Sequence, residues 1–440
     1  MSQSLPRVLT RRHFAGLSMG LGLAGLAGCG GGGFDPVGDG ALAVKDAPSI
    51  NGPGLIAQAP LMLAGPGFAP LQLKSVDDLA DGGFAVAWTR ADASLPDGPW
   101  QVLVQRFDRA GEPLAPPVPL AVAPPDAESA VSVLPDGTAA VAWRREVHTN
   151  PGPFTEVIDR SLLHQRFDTS GQPLGDADVV TAVSFGIRSP NSLDLRHPHI
   201  DRWPDGSHVV AWAKVLHSRA LPGTFVTLEA RRYHASGWPA GNAVGVGASG
   251  DGPDFTLQAW ERQGGYVVGF IPEPFAPQSQ AIRAVDFWNP IDPARLQGLA
   301  QGSFLVDLGV CGTVLVAGHR DTSGQAVTWE RQLFNWEGQA VGPPVPLPQR
   351  PAGIVPLRTQ QQLGQFLLLS DAANPFVLQA QRMDKWGNLY GDPFEVPRGS
   401  AVVTGEGQLV IASLMVSKTG NYSVVAQRFT DPLGPGQLPA

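Results

Sequence analysis

Two short motifs recur along this chain of 440 residues, and their recurrence restricts the fold more tightly than composition does. Residues 81–111, DGGFAVAWTRADASLPDGPWQVLVQRFDRAG, are the clearest copy: a tight turn, an apolar run ending on Trp88, an irregular insertion, a second run closing on Gln105, Arg106 and Phe107, and another tight turn. The three-residue anchor returns at 165–167, drifts at 231–233, 285–287 and 332–334, and comes back at 381–383 and 427–429. Its spacing of 46 to 66 residues fits one unit of four short strands with their loops. Such a unit cannot bury its apolar surface alone and must stack on its neighbours.

Each anchor lies between two corners. After most anchors an Asp, His or Asn precedes a Gly by three positions: Asp108 with Gly111, Asp168 with Gly171, His234 with Gly237, Asn335 with Gly338 and Asp384 with Gly387. A side-chain acceptor at the first position of a turn and Gly at the fourth is the chemistry of a type I turn. A calcium loop would need more oxygen ligands than any of these segments carries. Ahead of the anchors stand Asp81-Gly82-Gly83, Pro135-Asp136-Gly137, Pro204-Asp205-Gly206, Gln263-Gly264-Gly265, Cys311-Gly312, Leu363-Gly364 and Glu406-Gly407. The runs that follow them (84–88, 139–143, 208–212, 266–270, 314–317, 366–369 and 409–412) are almost continuously apolar, as strands buried on both faces are. Proline-bearing segments such as 113–121 and 343–348 come last in a unit, and Pro belongs on an edge strand. The order is therefore strand A before the first corner, B after it, C through the anchor, and D at the edge.

A content of 43% hydrophobic and 16% charged residues, with 53 Gly and 42 Pro, suits an all-β chain of many short strands. Seven anchors predict a single β-propeller of seven four-stranded blades over residues 55–440. The last unit ends soon after its C strand, whereas residues 55–64, LIAQAPLMLA, read as a D strand without a unit of its own. The expectation is a ring closed by this N-terminal strand beside residues 422–429, which would cover two open edges. The repeat resembles the DGGF-x-V-x-W … QRFD-x-x-G-x-P units of large secreted bacterial repeat proteins, closely in the first two units and poorly in the fourth and fifth.

The N-terminus reads as an address. Arg11 and Arg12, followed by Phe14, precede an uncharged run too short and too rich in Gly to remain a membrane-spanning helix. The arrangement resembles a twin-arginine translocation signal, although an ordinary secretory signal also needs a positive start. Leu26-Ala27-Gly28-Cys29 resembles the lipobox of bacterial lipoproteins, which implies a signal peptide over 1–28 and a lipid on Cys29. Residues 29–54 have the Gly/Pro-rich composition of a tether. By the same resemblance, Gly30 rather than Asp after the lipidated residue implies the outer membrane, facing periplasm or cell surface. Lipidation of Cys29 leaves Cys311 without a partner, in the setting of a small core residue with no charged neighbour in sequence to activate it.

Loss of Arg7, Arg11 and Arg12 with the signal takes the formal charge from −8 to −11, which excludes a basic face for nucleic acid. The short corners all fall on one face of the disc; the B–C insertions at 90–100, 144–161, 213–226 and 272–280, and linkers such as 182–196, fall on the other. Variable loops on a regular scaffold are where binding concentrates. On that face Arg90, Arg145, Lys214 and Arg320 could form a partial basic ring for an anionic sugar or carboxylate, or could simply be strand ends in solvent. His197, His199 and Asp201 alternate along an A strand and could supply three metal ligands, but Pro198 interrupts the strand and no other unit repeats the set. Trp88, Trp143 and Trp212 are equivalent positions and read as packing; Trp100, Trp238, Trp288, Trp336 and Trp386 fall near loops, where an indole can stack on a sugar. No sialidase box and no quinoprotein tryptophan repeat is present. The expectation is a non-enzymatic, envelope-tethered binding protein for a polysaccharide or partner protein, without cofactor; the alternatives are a carbohydrate hydrolase or lyase, and a structural spacer.

Overall fold

The described residues form seven antiparallel sheets that follow one another along the chain, with no helix among them. The computed structural model describes residues 56–67, 71–91, 100–122, 129–149, 156–186, 189, 191–218, 224–249, 255–259, 266–270, 282–285, 294–295, 303–311, 313–320, 328–334, 342–357, 365–383, 388–417 and 420–430. The export signal with Arg11, Arg12 and Phe14, the lipidation site Cys29, the insertion 272–280, and Trp288, Trp336 and Trp386 lie outside these residues.

The first sheet is Leu71–Asp78, Phe84–Ala91, Trp100–Phe107 and Val118–Pro119. The second is Ala130–Val133, Ala139–Thr149, Val157–Phe167 and Asp178–Gly186. The third is Asn191–Arg202, His208–Ser218, Thr224–Tyr233 and Val244–Ser249. The fourth comprises Phe255–Ala259, Tyr266–Phe270, Ile282–Val285 and Ala294–Arg295, and the fifth Ser303–Cys311, Thr313–Arg320, Thr328–Phe334 and Val345–Leu347. The sixth is Pro351–Leu357, Gln365–Asp371, Val377–Met383 and Leu389–Pro397. In the seventh, Ser400–Val403, Leu409–Val416 and Tyr422–Thr430 are completed by Ile56–Ala57 and Leu61–Gly67, both paired with Tyr422–Thr430. Each A strand touches the A strand of the next sheet, and Ser400–Val403 touches Leu71–Asp78.

The B strands of the first, second, third, sixth and seventh sheets are buried on both faces because each lies between two neighbouring sheets. Residues at alternate positions go to opposite neighbours: Phe84, Val86 and Trp88 pack with Val410, Ala412 and Ala426 of the seventh sheet, while Ala85 and Ala87 pack with Val141 and Trp143 of the second. Trp212 in turn shares a core with Ala140 and Ala142 of the second sheet. Each of these three tryptophans thus fills the space left by alanines on the preceding B strand, large against small, which is how close packing is reached between repeated layers. All three are buried, as their equivalent positions predict.

The corners are three-residue reversals closed by two backbone bonds. In the first, Leu79 N–H donates to Gly83 O at 3.0 Å and Gly82 N–H to Leu79 O at 3.1 Å; the pattern recurs at Leu134, Trp203 and Thr404, at the C–D corners Asp108, Asp168 and His234, and at the B–C turn of the seventh sheet at Ser417. The fourth residue must take a positive φ, which is 81° at Gly111 and 85° at Gly171. Space imposes a second demand there. A Cβ on Gly111 would lie 2.2 Å from Cζ of Arg428, and one on Gly171 would lie 2.3 Å from the Pro119 carbonyl oxygen.

The anchor arginines clamp one sheet to the next. Arg106 donates through Nε to Gly137 O at 2.6 Å and through Nη1 to Thr169 O at 3.1 Å, reaching both corners of the second sheet. Arg166 likewise donates to Ala235 O of the third sheet, and Arg428 to Arg109 O of the first. These corner carbonyls point out of their own ladders, so a fixed guanidinium fork satisfies two at once.

Two sequence expectations require correction. The insertions 144–161 and 213–226 are largely regular hairpin: strands B and C of the second and third sheets run on to Thr149, Val157, Ser218 and Thr224. The linker 182–196 is likewise mostly strand, ending one sheet at Gly186 and opening the next at Asn191. The polar run after Trp143 suggests a loop, but both faces of a strand that leaves the core meet water, and its residues can be polar throughout.

Candidate functional site

Strand alternation decides which side chains at the long-hairpin face can meet. Residues two beyond each tryptophan point to the same flank as the indole, toward the preceding sheet; those one beyond point to the following sheet. Arg90, Arg145 and Lys214 are of the first kind and each stays with its own hairpin. Arg90 donates to Gln101 Oε1 at 2.9 Å, Lys214 pairs with Glu229 at 3.6 Å, and Arg145 is exposed opposite Ser161. Arg320 ends the strand Thr313–Arg320, and Trp100, half-buried, opens Trp100–Phe107 opposite Ala91. Among the described residues no hydrogen bond or ion pair joins Arg90, Arg145 and Lys214 to one another.

The residue that does reach across is Arg144. Its Nη1 lies 2.9 Å from Asp194 Oδ1 on the A strand of the third sheet. Arg160 of the second sheet joins the same oxygen at 3.5 Å, and Arg196 Nε contacts Oδ2 at 2.5 Å. Burial alone would raise the pKa of Asp194, but the Arg196 hydrogen bond and the charges of Arg144 and Arg160 hold it below the ordinary carboxylate range. The network continues outward: Arg160 Nε to Glu146 Oε2 at 2.5 Å, then His148 between Glu146 at 2.8 Å and Glu156 at 2.7 Å. Hydrogen bonds to Glu156 and Glu146 raise the pKa of His148, which is exposed. Arg160 also lies over the Phe185 ring at 5.0 Å, so the second hairpin, its D strand and the third sheet are braced together. Beyond this brace residues 145–149 are exposed, and Val147 and Phe225 present apolar surface on the second and third hairpins.

The His197-His199-Asp201 alternation is broken. His197 has φ 50° and the pairing slips between Arg196 and His199, a bulge forced where Pro198 cannot donate to the ladder. Asp201 Oδ2 instead accepts the Ala259 N–H of the next sheet at 2.6 Å. At the equivalent place in the first sheet Asp77 Oδ2 accepts the Val133 N–H at 2.8 Å. An A strand is an edge, so these carboxylates satisfy N–H groups that no ladder reaches. Near Asp77, buried Arg202 reaches past the second sheet to Asp78, with Nη2 at 2.6 Å from its carbonyl and 2.8 Å from Oδ1. No group of three or more His, Cys, Asp or Glu able to hold a metal occurs among the described residues.

Arg144, Arg160, Asp194 and Arg196 escaped the sequence reading because their roles depend on which flank each faces. The available signal was the Arg144-Arg145 doublet, in which only the first residue has the phase to point forward.

No protein-family model and no curated protein sequence matches the chain. Among solved structures it is similar to hydrazine synthase of Kuenenia stuttgartiensis, with 14% identity and a TM-score of 0.44 over 80% of this chain and 94% of that one. It is also similar to a protein of unknown function from Dyadobacter fermentans DSM 18053, with 10% identity and a TM-score of 0.41 over 87% of this chain and 100% of that one. An ulvan lyase, a polysaccharide lyase, matches at 8% identity and a TM-score of 0.32, over 83% and 95% of the two chains. Likenesses at this level carry no argument about chemistry, which rests on the residues described above.

Proposed function

We propose that the chain is a seven-bladed β-propeller closed by its N-terminal strand, held at a bacterial envelope by lipid on Cys29, and that it docks a partner protein on its long-hairpin face. The pairing of Leu61–Gly67 with Tyr422–Thr430 and the contact of Ser400–Val403 with Leu71–Asp78 support the ring. The observation that carries the binding reading is the pair of hairpins of the second and third sheets. They run past the core, are braced at their base by the Asp194 network, and present a mixture of charge at Arg145 and His148 and apolar surface at Val147 and Phe225. A rigid base under an exposed mixed surface is how protein interfaces are presented. The carboxylates of the A strands favour a scaffold over a hydrolase: Asp194 is held ionised among three arginines, and Asp77, Asp78 and Asp201 are occupied by backbone N–H groups or Arg202.

A photo-crosslinker at Val147 or Phe225 of the full-length protein in its native envelope tests this reading. It should capture one discrete partner, while the same probe at exposed Leu114 or Leu174 beside the corners should not. Equal capture at both faces, none at the hairpins, or capture of polysaccharide there overturns it. For the anchor, Cys29→Ser should abolish incorporation of labelled fatty acid and release the chain from the membrane fraction; retention of both label and location would refute lipidation.

A further inference from the structure

The interface between the second and third sheets differs from its counterparts at two equivalent positions. Just before the anchor, the C strand has Val104 in the first sheet, Ala230 in the third and Ala426 in the seventh, but His164 in the second. At the start of the B strand stand Phe84, Ala139 and Leu409, but His208 in the third sheet. The first–second interface therefore sets Val104 and Ala139 within one apolar core, whereas the second–third interface sets two tilted imidazoles in contact. Both are buried, and their Nε2 atoms are 2.8 Å apart.

That distance has one chemical meaning for neutral rings. His208 Nδ1 lies 3.3 Å from the Gly206 carbonyl, which can only accept, so Nδ1 carries the proton and Nε2 its lone pair; His164 Nε2–H is the donor. A second proton at this contact would set two N–H groups against each other in a buried site. Among the described residues no carboxylate pairs with either ring. Tyr233 covers the pair, with ring centroids 4.0 Å from His164 and 5.4 Å from His208, and donates its hydroxyl to Asp178 Oδ2 at 2.8 Å. Arg231, beside it, pairs with the same Asp178 oxygen at 3.2 Å. Arg166, two residues after His164, pairs with Asp136 and adds positive charge, and Asp205 of the adjacent corner bonds Ser207.

We propose that His164 and His208 form a proton-released latch, closed while both imidazoles are neutral and opened by acidification, so that the second and third sheets separate locally while the other interfaces stay shut. The direction of the titrations agrees. Burial, then the proximity of His208, Arg166 and Arg231, puts the His164 pKa well below its usual value, and burial puts that of His208 at about 4. A histidine whose folded pKa is depressed contributes stability that is complete above its ordinary pKa of 6.5 and is lost as pH falls toward the folded value. Because the partner-binding hairpins proposed above spring from these two sheets, the latch would also set how firmly they are held.

Hydrogen exchange of the mature protein at pH 7 and pH 5, corrected for intrinsic rates, is the test. Protection in Val157–Phe167 and His208–Ser218 should fall by several hundred-fold relative to Phe84–Ala91 and Leu409–Val416, about 25-fold for each of two imidazoles that protonate at their ordinary pKa only when the interface opens. The double variant H164V/H208A, which installs the residues of the first–second interface, should remove this difference. Should it fail to fold, H164Q keeps a neutral donor toward His208 and should cut the loss to about 25-fold, the share of the one remaining imidazole. Equal loss of protection at all interfaces, no loss in the native protein, or an undiminished loss in the variants each overturns the latch. The test does not depend on a partner, so its failure leaves the binding reading untouched.

Discussion

Arg106 shows how much a repeat protein can ask of one side chain. Its guanidinium satisfies carbonyls at both corners of the next sheet, and burial lowers its pKa. Arg106→Ala should lower unfolding stability by about 1.5–3 kcal/mol, the usual cost of losing charged hydrogen bonds, and Arg106→Lys should recover under half because an ammonium cannot fork to both oxygens. Chemical denaturation reads both values; full recovery by Lys would reduce the clamp to a charge effect. Gly111→Ala should act on the same device from the other side, by forcing a positive φ on Ala and displacing Arg428. The anchor is plain in the sequence as a recurring string, and its Phe is legible as core. The target of its Arg is not, because a corner 31 residues away becomes its neighbour only once the sheets are laid side by side.

At the scale of strands and hairpins, the tryptophan-on-alanine packing predicts asymmetric effects. Trp212→Ala should cost about 3–5 kcal/mol, as large core truncations do, and should loosen the second–third interface before the third–fourth, because its indole faces Ala140 and Ala142. Hydrogen exchange resolved by strand checks the order. The second hairpin carries a pH dependence of opposite sign to that of the buried histidines. His148 has a raised pKa, so its bonds to Glu146 and Glu156 are complete below its ordinary value of 6.5 and are lost as pH rises through the higher folded value. Imidazole NMR should place its titration above the ordinary value, and Glu156→Gln should bring it down; an unmoved titration would show that Glu156 does not hold it. Strand existence was legible here from apolar runs and corners. Strand length was not, since residues 144–149 have no alternation to read. The metal alternation failed for a local reason that Pro198 announces, a bulge that turns His197 out of phase.

For the whole molecule, order matters more than any single contact. The first and second sheets each hand an anchor arginine and the alanines of a B strand forward to the next, and the seventh returns its arginine to the first. Deleting residues 56–67 should therefore do more than remove one edge: it should bare Tyr422–Thr430 and lower the thermal midpoint, with concentration-dependent association visible by light scattering. A monomer of unchanged midpoint would show the strand to be dispensable. The four-stranded antiparallel unit was readable from the anchors and corners. The difference between the second–third interface and its fellows became readable only once the register of every strand was aligned.

The bond from Gln58 to Thr430 spans 372 residues. At ribosomal rates of about 5–20 residues per second, the first strand waits roughly 20–75 seconds for its partner to be made. For that time the growing chain carries two unmatched edges of the same protein, one at each end. The interval between its first and last strands, rather than the stability of the finished molecule, sets when it needs a chaperone most.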